Sequence, residues 1–128
     1  MGETTWTGTP AAMTLFTHDL DASRTFYKTF LGADPVHSDG DSVVFKAGET
    51  LINILHDNAV DELIAPAKEG QGARAVYTLG VPDVDAAAEE VTSRGLALLN
   101  GPIDRPWGIR TVSVQDPSGH IWELTKWG

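Results

Sequence analysis

The residue best placed to do chemistry is Glu123, in the run His120-Ile121-Trp122-Glu123-Leu124 near the end of the chain. Apolar and polar residues alternate here. A strand therefore puts Ile121, Glu123 and Thr125 on one face and Trp122, Leu124 and Lys126 on the other. A carboxylate flanked by apolar neighbours must face a wet cavity or find a partner. In a cavity it can act as a general base or hold a cation; with a partner it is a structural acceptor. Histidine is the other reactive side chain, at positions 18, 37, 56 and 120. His18 ends the first apolar run, His37 lies in a loop before a Ser-Asp-Gly turn, and His120 adjoins the turn Asp116-Pro117-Ser118-Gly119. By alternation His56 shares a face with Ile52 and Ile54, opposite Asn53. The absence of cysteine removes disulfides, thiolate zinc sites and a cysteine nucleophile together.

These groups must be positioned by a small α+β chain. At 128 residues, 41% hydrophobic and 21% charged, it has room for one domain or for two small halves sharing a core. A net charge of −9, from 9 basic and 18 acidic residues, argues against nucleic acid as a partner and permits a cationic ligand. It also serves solubility. No apolar run is long enough to cross a membrane and no leader pattern opens the chain, so the expected location is the cytoplasm.

Residues 1–11 read as an arm, with Trp6 its one large apolar residue. Met13 to Thr17 reads as a strand. Asp19 or Asp21 caps a helix carrying Ala22, Phe26, Tyr27, Phe30 and Leu31 at helical spacing, which Gly32 closes. Ser42 to Lys46 and Thr50 to His56 form a hairpin around Ala47-Gly48-Glu49. Residues 58–73 connect, with one helical turn at most. Ala75 to Val81 is a strand, and Pro82-Asp83 caps a helix whose Val84, Ala87, Ala88 and Val91 form its apolar stripe. Gly95 ends that helix. Leu96 to Leu99 reads as a short strand and Asn100-Gly101-Pro102 as a turn. Thr111 to Gln115 and His120 to Thr125 are then joined through Asp116-Pro117-Ser118-Gly119. Asp19-Leu20-Asp21-Ala22 is echoed 64 residues on by Asp83-Val84-Asp85-Ala86, so residues 12–57 and 74–128 repeat one strand-helix-strands unit. Neither half can cover its sheet with one short helix. The two must share a core or close around a cavity.

A doubled βαβββ unit with the segments LDASRTFYKTFLG (residues 20–32) and PWGIRTVSVQDPSGHIWEL (residues 106–124) resembles the vicinal oxygen chelate superfamily. That superfamily includes glyoxalase I, extradiol dioxygenases and bleomycin-resistance proteins. The resemblance implies two sheets forming a cupped, half-barrel-like cavity, completed in a homodimer to which Trp6 and Trp127 are candidate contacts. It also implies four cup-facing metal positions, which fall here at Ala12, Asn53, Val76 and Glu123. Only Glu123 is a competent ligand of the usual kind; a methyl and an isopropyl group hold no metal. No metal and no cofactor are therefore expected. The family geometry gives the four histidines no reason to converge, and they read as surface residues, His18 being the strongest exception.

The same carry-over lines the cup with Thr14, Phe16, Leu51, Asn53, Leu55, Val76, Thr78 and Glu123, and sets Trp107 and Arg110 at its mouth. There an indole can stack on a planar ligand and a guanidinium can meet its oxygens. The plain alternative makes Trp107 a lid over a sheet edge and pairs Arg110 with Asp104 or Asp116. Trp122, Leu124, Phe26, Tyr27 and Phe30 read as core. The expectation is a metal-free binding protein that sequesters a bulky planar or cationic natural product. The rival is a superfamily enzyme with a displaced metal site or with Glu123 as its base.

Overall fold

Two aspartates start the two main helices, and the strands around those helices build two sheets of the same design. The computed structural model describes Thr5 and residues 8–127. Trp6 lies outside the described residues. The elements in order are β1 (Ala12–Thr17), α1 (Leu20–Leu31), β2 (His37–Ser38), β3 (Ser42–Ala47), β4 (Thr50–His56), a 3₁₀ turn (Asp57–Ala59), α2 (Val60–Ile64), β5 (Val76–Gly80), α3 (Val84–Ser93), β6 (Asn100–Asp104), β7 (Arg110–Gln115) and β8 (Ile121–Thr125).

Asp19 caps α1 by accepting from the Ala22 amide at 3.0 Å, and Asp83 caps α3 by accepting from Ala86 at 3.1 Å. Each satisfies a donor that the first helical turn leaves free. Gly32 stops α1 with φ of +66°, a left-handed conformation that other residues resist.

The first module's sheet runs β1-β4-β3-β2 and the second's runs β5-β8-β7-β6, with β1 parallel to β4 and β5 parallel to β8. The helices cover one face of this arrangement. Leu15, Val43, Phe45, Ile52 and Ile54 from the first sheet and Val112, Val114, Trp122 and Leu124 from the second are buried in one core with α1 and α3. Burying apolar area on this scale is the main force that holds the modules together. Alternation turns the other face of each sheet outward.

Two local expectations are corrected. The strand placed at Leu96–Leu99 lies later, at Asn100–Asp104, where a turn was expected. Gly101 takes a φ of +87° and passes so close to β7 that a Cβ would sit 2.4 Å from the Thr111 carbonyl. The register shifts between Asn100 and Ile103, and β6 is an outer strand, where Pro102 needs no amide hydrogen. Turn residues were thus a bulge inside a strand. His37, expected in a loop, pairs with Val44 in the two-residue β2.

Candidate functional site

On the outward face the repeat places two matched pairs. The register sets Thr14 beside Asn53 on the first sheet and Thr78 beside Glu123 on the second. Asn53 Nδ2 donates to Thr14 Oγ1 at 3.4 Å, while Thr78 Oγ1 donates to Glu123 Oε1 at 3.1 Å. One module thus carries an amide where the other carries a carboxylate. Leu51 is 37% and Val76 56% exposed on the same face, and Phe16 and Leu55 are half-buried.

These residues do not suit the metal that the family's enzymes hold. Ala12 and Val76 offer no donor atom, and Glu123 already accepts from Thr78. Asn53 Oδ1 is buried without a donor among the described residues, but a single neutral amide oxygen beside one carboxylate makes a poor divalent site. Among the described residues no three His, Asp or Glu side chains gather where they could hold an ion.

At the far side of the second sheet, Arg110 is committed. Its guanidinium reaches Asp85 at 2.9 Å and Asp104 at 3.1 Å, and these two carboxylates push its pKa up. Asp104 was an expected partner; Asp116 instead turns inward. Trp107 is 68% exposed, with the Arg105 guanidinium 6.0 Å from its ring centre.

Asp116 belongs to the seam between the modules. Tyr27 donates to Asp116 Oδ2 at 2.6 Å and receives the Trp122 indole N–H at 2.9 Å. Asp116 Oδ1 accepts the amides of Ser118 and His120 at 2.9 Å each, which holds the turn shut. Burial drives the Tyr27 hydroxyl far above its ordinary pKa, and the Asp116 charge adds to the effect, so it stays a donor. The Thr17 hydroxyl meets both Ser23 and Ser118 at 2.8 Å, and His120 Nε2 donates to the Phe16 carbonyl at 2.9 Å.

Beside this network β1 and β5 are the outer strands of separate sheets and do not pair, which leaves two gaps along the seam. Tyr77 lines both. The smaller, about 260 Å³, is largely apolar and includes Met13, Ile52, Thr78, Leu79 and Trp122. The larger, about 330 Å³, is lined by Thr14, Phe16, His18, Asp57, Glu69 and His120 among others. Of the residues expected to line a pocket, Thr14, Phe16 and Thr78 border these gaps; Leu51, Asn53, Leu55, Val76, Trp107, Arg110 and Glu123 do not. Asp57, Glu69 and Tyr77 escaped sequence reading because strand edges and a connector bring them together. The only local trace was the lost periodicity around Gly70-Gln71-Gly72.

The paired βαβββ sheets define the class of fold. The family model described as the Glyoxalase/Bleomycin resistance protein/Dioxygenase superfamily matches residues 9–124, and the chain belongs to that superfamily. A glyoxalase-related enzyme from Fulvimarina pelagi superposes with a TM-score of 0.81 at 24% identity, covering 94% of this chain and 89% of that one. A glyoxalase/bleomycin resistance protein/dioxygenase from Nocardioides gives 0.76 at 27%, over 97% and 86% of the two chains. A lactoylglutathione lyase from Agrobacterium tumefaciens gives 0.73 at 23%, over 95% and 98%. None of the curated proteins matches the sequence. No helix of the described residues is long and apolar enough to cross a membrane.

Proposed function

We propose that this protein binds and sequesters a flat or cationic organic molecule, in the manner of the drug-binding members of its superfamily, and does so without the family's metal. The observation that carries the reading is the donor set. Methyl, amide, isopropyl and carboxylate stand at Ala12, Asn53, Val76 and Glu123, and the carboxylate is already hydrogen-bonded to Thr78. Around them Phe16, Leu51, Leu55 and Val76 supply apolar surface for a ring system, and Thr14, Asn53 and Thr78 supply polar contacts. The exposed Leu51 and Val76 suit a face completed by a second copy of the chain, which makes the binding unit a homodimer.

The test uses metal-stripped protein titrated with planar and cationic antibiotics, bleomycin and an anthracycline among them, followed by tryptophan fluorescence. Saturable quenching that is unchanged by added Fe, Ni, Zn or Mn is expected. Absence of binding, or near-stoichiometric metal together with metal-dependent turnover, overturns it. One observation favours an enzymatic alternative: Glu123 Oε2 takes no protein donor among the described residues, so it is free to accept a proton. Under that reading Glu123→Gln abolishes turnover while leaving the unfolding midpoint in place.

A further inference from the structure

We propose that the larger cleft of the seam is a separate recognition site for a small organic ammonium ion with an aromatic or apolar body. It stands apart from the outward face that carries Asn53 and Glu123, sharing with it only Thr14 and Phe16 at its border.

The cleft belongs to neither module alone. Phe16 and His18 come from the end of β1, Asp57 from the turn after β4, Glu69 from the connector, Tyr77 from β5 and His120 from the start of β8. Its volume of about 330 Å³ is at the lower end of what small-ligand pockets offer, about 300–1,000 Å³. Phe16 and Tyr77 give the lining aromatic surface on which a ring can stack and a cation can rest.

Another part of the lining is acidic and incompletely satisfied. Asp57 Oδ1 is shut off from solvent and accepts from no N–H or hydroxyl group among the described residues. A buried carboxylate oxygen in that state costs free energy that a ligand N–H can recover. Glu69 lies against it. Burial first, then a hydrogen bond and the charge of Asp57, and then the charge of Asp61 on α2, hold the Glu69 carboxyl above its ordinary pKa; His18 works the other way. Two carboxyl groups thus share one corner of the cleft. An ammonium group placed there displaces any proton held on Glu69, supplies up to three donors and offsets one of the two negative charges.

The Arg74 guanidinium packs over Gly70, where a Cβ would meet its Nη1 at 2.8 Å, and the His120 ring is tied to the Phe16 carbonyl. His18 Nδ1 lies 3.4 Å from Ser118 Oγ. Adjacent carboxylates disfavour an anion. A bare metal ion lacks a third ligand among the described residues and makes no use of the aromatic wall.

Calorimetry with phenethylammonium and its neutral isostere 2-phenylethanol tests the assignment on the intact protein. The amine is expected to bind at least tenfold more tightly than the alcohol. Its affinity should rise as the pH climbs above the ordinary carboxylate range, and titrations in buffers of different ionisation enthalpy should register proton release. Asp57→Asn and Glu69→Gln should each lose tenfold or more. The exposed Glu49→Gln, in the β3–β4 turn, serves as the control and should leave affinity unchanged. Unfolding midpoints of the two cleft variants near that of the parent separate loss of the site from loss of the fold. Failure of the amine to bind, equal binding of amine and alcohol, or full affinity in both cleft variants overturns the proposal.

Discussion

The two modules share a backbone plan and spend it differently. Their helices begin with the same aspartate cap, 64 residues apart. Yet α1 turns Tyr27 and Phe30 inward, whereas α3 turns in Ala87, Ala88 and Val91. The large rings of α1 reach past their own sheet to the other module: Tyr27 and Phe30 both lie against Trp122, with ring centres 6.3 and 5.9 Å away. Small side chains let α3 lie close, and its end is tied to α1 by Arg94, which donates to the Phe30 carbonyl at 3.1 Å. The same asymmetry recurs on the outward face, where Thr14 faces an amide and Thr78 a carboxylate. A repeat thus makes the frame, and unequal side chains make one module the clasp and the other the socket.

Removing the socket's central residue breaks this division most severely. Trp122 is 2% exposed and touches Tyr27, Phe30 and Tyr77. Trp122→Ala should cost about 3–5 kcal/mol of stability, the range for truncating a buried ring, and urea unfolding checks it. A loss confined to the second module, with the first unfolding at its original midpoint, would show that the aromatic bridge does not couple them.

The clasp itself comes next. Tyr27→Phe keeps the ring but deprives Asp116 of a buried donor and the Trp122 indole of its acceptor. The expected loss is about 1–3 kcal/mol. The sign with pH follows from the raised pKa. In the unfolded chain the hydroxyl ionises at its ordinary value of about 10 while in the folded chain it resists, so the contribution is whole below about pH 10 and falls progressively above it. Urea midpoints from about pH 8.5 to about pH 11, a range that spans the tyrosine value, should drop for the parent and drop less for Tyr27→Phe. A residual slope is expected from Tyr77, whose hydroxyl is also pushed up by burial and by Asp116.

The plan of the modules was legible in the sequence because its signals are local. A capping aspartate, a helical stripe and a closing glycine act over a few residues, and each recurs at the repeat offset. The β6 strand was not legible, since Gly101-Pro102 carries a turn's composition and only the approach to Thr111 shows why a bulge needs it. For the outward face, alternation grouped Thr14 with Phe16 and Thr78 with Val76 within their own strands, and only the resemblance to the superfamily brought those strands together with Asn53 and Glu123. The seam cleft was hidden for the opposite reason. Asp57 and Glu69 lie in the turn and the connector on either side of α2 and His18 follows β1, and no periodicity relates a connector to a strand edge.

The caps offer the finest comparison, because the same substitution can be made at matched positions. Asp19→Ala and Asp83→Ala each remove one hydrogen bond to a first-turn amide, worth about 0.5–2 kcal/mol. Equal losses would mean that the helices start independently. The surroundings argue for a larger effect at Asp19. Its backbone amide donates to Thr17 Oγ1 at 3.1 Å, and that hydroxyl also meets Ser23 and Ser118, so a frayed first turn of α1 loosens the seam. Asp83 opens α3 at an exposed corner. Asp19→Ala should therefore approach about 2 kcal/mol and Asp83→Ala stay near 1 kcal/mol by urea unfolding. Adding Ser118→Ala to each variant sharpens the point. Its cost should be less than additive with Asp19→Ala, because the two changes strike one network, and additive with Asp83→Ala.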